Sequence, residues 1–328
     1  MSAAKYIGID LGGTKIAGIL ADAGGEVLHQ EKIPTRTEEG QEKVIARVFG
    51  LIRTLLAMAG TGEVKGIGLC SPGPSDLKAG IIIEAPNLKW KDLPLIALLE
   101  EEFNLPAVLE NDANAAAYGE YVYGAARGRK DLIYLTVSTG IGGGIIINGK
   151  LVYGRNYSAG EVGHMVILPD GPLCGCGRRG CIEALASGSA IAREAKALLL
   201  KEHQRAPGQV GLLWEITGGD PERLTAKEVG EAATQGDPLA LSVLEKAFGY
   251  LGVALGNLVN LLNPEIIVIG GGVAALGPLL FRPAVRAMEA TAFAHMCRDL
   301  PVVPALLGGE AGTKGMVALA RQKIPAGV

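Results

Sequence analysis

The chain has 328 residues, 48% of them apolar and 20% charged, which is enough for a sizeable core and, by length, for two domains. That composition excludes a disordered chain, and a net charge of −3 gives no general attraction for nucleic acid or an anionic membrane. No apolar run reaches the length of a membrane span, and Met1 to Lys5 leads straight into strand-like residues, so neither a spanning segment nor a signal peptide is expected.

Taken from the start, the pattern predicts a β-meander: strands over 5–10, 16–21 and 26–33, with Leu11-Gly12-Gly13-Thr14-Lys15 as the first turn and Gly24-Gly25 as the second. A helix over 41–59 follows, with Val44, Ile45, Val48, Leu51, Ile52 and Leu55 at helical spacing. Residues 64–70 read as a buried strand ended by Ser71-Pro72-Gly73-Pro74. Then come a helix over 94–103, a strand over 107–110 and a helix over 112–123. The pattern then restarts with a strand over 131–137, a glycine turn over 138–144 and a returning strand over 145–148. Two openings of strand, glycine turn and strand predict a duplicated architecture whose halves meet near 111–127. Beyond the cysteines the chain reads as helical over 189–201, 225–235 and 238–262, with a last buried strand over 265–269. Residues 204–220, rich in Gly and Pro, read as a surface insertion without assigned function.

Three glycine turns are candidates for holding phosphate. In Asp10 to Lys15, backbone N–H groups, the Thr14 hydroxyl and the Lys15 charge suit phosphate oxygens, and Asp10 suits water-mediated Mg²⁺. The context is strand, turn, strand rather than the strand, loop, helix of a P-loop, so a plain hairpin turn is the alternative. Ser138 to Gly144 repeats the arrangement in the second half, and the pair together suggests a gripped nucleotide phosphate chain. Gly270-Gly271-Gly272-Val273-Ala274-Ala275 formally fits a dinucleotide fingerprint. It stands late in the chain and lacks a following strand with an acidic end, so adenosine binding is the better account, with simple helix-on-strand packing as the alternative.

Glu110-Asn111-Asp112-Ala113-Asn114 puts two acids and two amides where a strand meets a helix. Asp112 suits a general base for an attacking hydroxyl, with Asn111 orienting the substrate; a helix cap at Asp112 is the plainer reading. The most specific feature is Glu161-Val162-Gly163-His164 followed by Cys174, Cys176 and Cys181, then Glu183. Three cysteines and a histidine complete a tetrahedral zinc shell with no ligand to spare, which predicts a closed, structural Zn²⁺ site in a reducing cytoplasm. Glu161 and Glu183 flank it and suit substrate hydroxyls, or are exposed loop acids. Cys70 and Cys297 read as core or incidental thiols.

With these motifs the sequence resembles the ROK family (repressors, open reading frames and kinases), and within it the bacterial glucokinases, from Ile7-Gly8-Ile9-Asp10-Leu11-Gly12-Gly13-Thr14 to the glycine-rich 307–315 segment. The resemblance implies an α/β, actin-like and ribonuclease-H-like ATPase fold. Its two α/β domains would lie around a central cleft, the first over 1–113 joined by a C-terminal helix over about 312–328, the second over 114–311 with the zinc cluster. It implies ATP-dependent phosphorylation of a hexose at the 6-hydroxyl, glucose by preference. Asp112 would be the base, Gly73, Asn87, Asn111, Glu161, His164 and Glu183 sugar contacts, and His164 also a zinc ligand. Asp10, Gly12, Gly13, Thr14, Lys15, Thr139, Gly140, Gly271 and Gly272 would serve ATP and Mg²⁺. It further implies a homodimer or homotetramer. Other readings of the same motifs are a kinase for fructose, mannose, N-acetylglucosamine or N-acetylmannosamine, a polyphosphate-using glucokinase, or a sugar-responsive repressor. For the repressor a basic helix-turn-helix segment before the core is the expected mark, and it is not seen here.

Overall fold

The computed structural model describes residues 4–61, 63–206 and 211–324. Part of the expected 204–220 insertion and the end of the expected C-terminal helix lie outside these residues. The chain divides into two compact units. One comprises Met1–Tyr134, Gly144–Gly160 and Ala305–Val328; the other comprises Leu135–Gly143 and Glu161–Pro304. The first thus includes residues 114–134 and 144–160, which the sequence expectation assigned to the second domain.

In chain order the first part holds β1 (Lys5–Leu11), β2 (Lys15–Asp22), β3 (Val27–Pro34), α1 (Gln41–Ala57), β4 (Val64–Ser71), β5 (Ser75–Asp76), β6 (Ile81–Ala85), β7 (Trp90–Leu93), α2 (Leu95–Phe103), β8 (Ala107–Asn111) and α3 (Asp112–Tyr123). Its main sheet has the order β3-β2-β1-β4-β8. β1, β2 and β3 pair antiparallel through short turns, while β1–β4 and β4–β8 are parallel, as crossovers through helices require. β1 and β4 are buried on both faces. Ile7, Ile9 and Leu11 pack with Val48, Ile52 and Leu55 of α1. On the opposite face, Tyr6 and Ile19 pack with Val317 and Ala320 of the C-terminal helix, Ala311–Lys323. That helix can lie so low because Gly8 and Gly68 stand beneath it: a Cβ at Gly8 would come 2.2 Å from Thr313 O, and one at Gly68 2.4 Å from Met316 O. A small antiparallel sheet, β5-β6-β7, was not anticipated from the sequence. Its strands are only two to five residues long, too short for alternation to be legible.

The second part continues with β9 (Leu132–Val137), β10 (Ile141–Ile147), β11 (Lys150–Leu151), α4 (Ile182–Ala186), α5 (Gly188–Arg205), α6 (Leu212–Ile216), α7 (Ala226–Thr234), α8 (Pro238–Leu262), β12 (Ile266–Gly270), α9 (Pro278–Thr291), α10 (Ala294–Cys297), β13 (Val302–Pro304) and finally α11 (Ala311–Lys323). The sheet order β11-β10-β9-β12-β13 repeats, strand for strand, the order of the first sheet, so the duplication expected from the two glycine turns is present in topology. β10 starts four residues before the expected strand, because Gly142 to Gly144 join it. A Cβ at Gly144 would stand 2.5 Å from Ala117 Cβ, so glycine admits the close approach of α3. α6 falls in the 204–220 stretch read as a surface insertion. α8 corrects the statement on membrane spans: over 25 residues, with a mean hydropathy of 1.4 in its most apolar stretch, it is long and apolar enough to cross one. Here it is a core helix, burying Val243, Leu244, Phe248, Leu251 and Leu255 among others.

Candidate active site

In the first unit the sequence places a carboxylate at the end of β1 and another at the start of α3. Asp10 is partly buried, and its Oδ1 accepts a weak hydrogen bond from Cys70 Sγ at 3.6 Å. Its Oδ2 lies where a Cβ on Gly312, at the start of α11, would approach to 2.9 Å. Burial first, and the neighbouring Asp112 charge second, push its pKa up from 3.8 to about 6. Cys70, expected as a core thiol, is fully buried, and burial and the surrounding carboxylates push its pKa up. Asp10 makes no ion pair among the described residues. A partly buried carboxylate held partly ionised, with the Lys15 charge near it but no ion pair, fits water-mediated Mg²⁺.

Asn111, not Asp112, caps α3: its Oδ1 accepts from the backbone N–H groups of Ala113 and Asn114 at 2.9 and 3.2 Å. Asp112 is therefore spared the cap, although its Oδ1 accepts the Ala113 N–H at 2.8 Å. Burial raises its pKa, with that bond opposing the shift. A carboxylate that is desolvated, lightly hydrogen-bonded and set beside an amide is poised to take a proton. Behind it the preceding Glu110, fully buried, accepts from Asn111 N and Asn114 Nδ2 on Oε1, and from Tyr153 OH and Lys323 Nζ on Oε2. The first glycine turn is closed by the Gly12 N–H donating to Lys15 O and by the buried Thr35 hydroxyl donating to Gly12 O. The Gly12 amide is thus engaged within the hairpin, contrary to the expectation that it faces a ligand. Gly13 stands against Asn87: a Cβ there would meet Asn87 Cβ at 3.2 Å, which brings two expected site residues together.

In the second unit His164 is the last residue of a single 3-10 turn, and Cys174, Cys176 and Cys181 lie on a loop folded by Cys174 N–H to Arg178 O and Gly177 N–H to Cys174 O. Gly180 has φ +72°, and a Cβ there would fall 1.6 Å from Leu168 O, so only glycine lets the loop close. The four donor atoms lie within 4.8 Å of one another; Cys174 Sγ is 3.7 Å from His164 Nδ1, and Cys176 Sγ is 3.7 Å from Cys181 Sγ. Tetrahedral thiolate ligation at about 2.3 Å requires an S···S edge of about 3.8 Å, so the set fits zinc. The Arg178 backbone N–H lowers the Cys176 pKa to about 7, while burial raises that of Cys174. Glu183, on α4, reaches from this loop to the second glycine turn: Oε2 accepts the Ile141 N–H at 3.0 Å, and Oε1 lies 3.6 Å from Cys174 Sγ.

The same unit holds a cavity of about 770 Å³ lined by Ser138, Thr139, Gly188, Lys227, Gly230 and Gly272 among others, within the usual size for a nucleotide or similar ligand. Thr139 and Gly272 thus take part in one pocket. Gly271 does not line it. It has φ +85°, and a Cβ would meet Val137 O at 2.3 Å, which makes it a packing glycine between β12 and β9.

A model of the ROK family matches residues 6–323. The chain belongs to the ROK family. The glucokinase of Halalkalibacterium halodurans is 39% identical over 326 residues, covering 98% of this chain and 97% of that one. A ROK family glucokinase from Streptomyces griseus, solved in complex with glucose and AMPPNP, aligns with a TM-score of 0.81 at 37% identity over 97% of this chain and 99% of that one. The xylose repressor of Bacillus subtilis is 31% identical and covers 95% of this chain and 76% of the repressor. The fold is accordingly the actin-like ATPase fold that the resemblance implied.

Within this ROK chain, Asp10, Gly12 to Lys15, Gly73, Asn87, Asn111 and Asp112 fall in the first unit, and Thr139, Gly140, Glu161, His164, the three cysteines, Glu183, Gly271 and Gly272 in the second. Sequence reasoning named Glu110 among the two acids of its segment but gave it no role, although one acid closing the otherwise apolar Ala107-Val108-Leu109 strand was a signal. It also missed the α7 wall of the cavity, which rests on Lys227 and Gly230 and has no motif.

Proposed function

We propose that the chain transfers the γ-phosphoryl group of ATP to the 6-hydroxyl of a hexose, glucose by preference. The observation that carries this reading is its similarity, from end to end, to relatives named glucokinase, one of them solved with glucose and AMPPNP. Phosphoryl transfer asks a protein mainly for positioning, a proton acceptor and charge stabilisation, and the two units carry groups suited to each. Asp112 takes the proton of the 6-hydroxyl as that oxygen attacks the γ-phosphorus and ADP leaves, while Asn111 holds the hydroxyl in line. Asn87, Gly73, Glu161, His164 and Glu183 meet the remaining hydroxyls. With Nδ1 directed at the cysteines, zinc bound there would leave the His164 proton on Nε2 and so make that atom a donor to a sugar oxygen. Backbone N–H groups of the two turns steady the phosphates, and the cavity beside Thr139 and Gly272 takes the adenosine.

Asp10 would hold Mg²⁺ through water, and the ion would neutralise charge on the β and γ oxygens. His164, Cys174, Cys176 and Cys181 would hold zinc, which leaves no open position and so supplies rigidity rather than activated water. The free thiols suit a reducing cytoplasm. A coupled ADP-release assay over a hexose panel, with ATP and polyphosphate as alternative donors, tests the proposal. Turnover of glucose with ATP is expected. Turnover of an N-acetylhexosamine with glucose inert would keep the kinase and reject glucose, and no turnover of any hexose would reject the kinase. A DNA-binding regulator has less support, since identity to the repressors is lower.

A further inference from the structure

The cysteine cluster touches more than a sugar wall. His164 is preceded by Gly163, where a Cβ would come 2.0 Å from Ile141 O; Glu183, two residues after Cys181, accepts the Ile141 N–H at 3.0 Å. Ile141 is thus bracketed on its carbonyl side by the flank of one cluster residue and on its amide side by the flank of another. Gly140 is pressed against the same carboxylate: a Cβ there would lie 2.5 Å from Glu183 Oε2. From Cys181, the N-cap of α4, the chain needs only seven residues to reach Gly188, whose N–H donates to Ser138 O at 2.7 Å. Three points of the second glycine turn are therefore fixed by residues that radiate from the cluster.

We propose that the metal cluster sets the shape of the phosphate-holding turn at 138–144, with Glu183 as the positioning residue that transmits it, so that nucleotide affinity depends on the metal. This rests on the reading above, in which that turn grips ATP phosphates. Without metal the four side chains are joined to one another and to Glu183 by thiol contacts of 3.6–3.7 Å, which are weak hydrogen bonds, beside backbone bonds such as Ile182 N–H to Met165 O. With metal, the flanks at Gly163 and Glu183 are tied to one centre, and Ile141 is held between them. A role for Glu183 confined to sugar hydroxyls would leave the nucleotide unaffected.

Two measurements, made without sugar, test this. The first is hydrogen exchange at the amides of residues 138–144; the second is calorimetric binding of AMPPNP. Wild type as purified, wild type after chelation, Glu183→Ala and Glu183→Gln are compared, with metal content and circular dichroism recorded for each. Glu183→Ala is expected to keep about one zinc per chain, to expose the Ile141 amide to faster exchange and to weaken AMPPNP roughly tenfold, the scale of a hydrogen bond to a charged acceptor. Chelation should do the same in the wild type. Glu183→Gln retains an acceptor for the Ile141 N–H and should restore both readouts. Unchanged exchange at the turn in Glu183→Ala and after chelation, with the fold intact, would overturn the link. Faster exchange in a protein that binds no AMPPNP in any form would leave the link standing and reject the nucleotide reading of the turn.

Discussion

Replacing Asp10 by Asn removes a carboxyl whose charge the fold opposes. Its pKa is raised from 3.8 to about 6, chiefly by burial and then by the charge of Asp112. The ionised form is penalised only in the folded state, so the group's contribution is most favourable below 3.8 and is lost as pH rises through about 6. A shift of about two units, at about 1.4 kcal/mol per unit, is about 3 kcal/mol at neutral pH. Asn has nearly the same shape and still accepts the Cys70 thiol. In Mg²⁺-free buffer at neutral pH the variant should therefore melt higher, by about 2–4 °C for each kcal/mol. The gain over wild type should open between pH 4 and 6 and stay level above. Phosphoryl transfer should fall in the same variant, because a neutral amide holds a hydrated divalent cation poorly. Thermal melts across pH, paired with turnover at saturating Mg²⁺, read both effects. A variant no more stable than wild type at neutral pH, or one whose advantage does not grow with pH, would refute the burial account of Asp10.

Asp112→Asn should lower kcat by roughly 10²–10⁴, the scale of a general base. In the wild type, activity should fall as pH drops through a pKa above the ordinary aspartate value, since burial raises it, and the pH–rate profile of the variant should lack that limb. Ala192→Phe, which fills part of the cavity beside Thr139, should raise KM for ATP with KM for the hexose unchanged, as steady-state kinetics with each substrate varied would read. Glu110→Ala leaves Lys323 Nζ, Tyr153 OH and Asn114 Nδ2 without their shared acceptor. It should cost about 3 kcal/mol in chemical denaturation.

Much of this was legible where chemistry is local. The cysteine spacing gave a donor set whose atoms converge within 4.8 Å, because a short glycine-rich loop leaves them few other places to go. The opening meander followed from alternation and turn residues, and the second glycine turn announced the repeated sheet order. What stayed hidden depends on contacts distant in sequence. Cys70 under Asp10 is sixty positions away, and Glu110 meets Lys323 more than two hundred positions on. The Gly12 amide read as a ligand donor because a glycine turn does not disclose which of its own amides close it. The exchange of roles at α3, where Asn111 caps and Asp112 does not, turned on one residue of helix register, finer than spacing resolves.

The glycines under α11 bear on how the protein is made. β1 emerges from the ribosome well before α11, with one face shaped around that helix some three hundred positions later. Synthesis at about 5–20 residues per second keeps that face waiting for tens of seconds. Tyr6, Ile19 and the bare backbone at Gly8 and Gly68 would then be open to water or to a chaperone until the final turns arrive. A premature stop shortly before residue 311 would thus damage the N-terminal sheet first, and a nascent-chain protease assay would find its protection arriving only with the last helix.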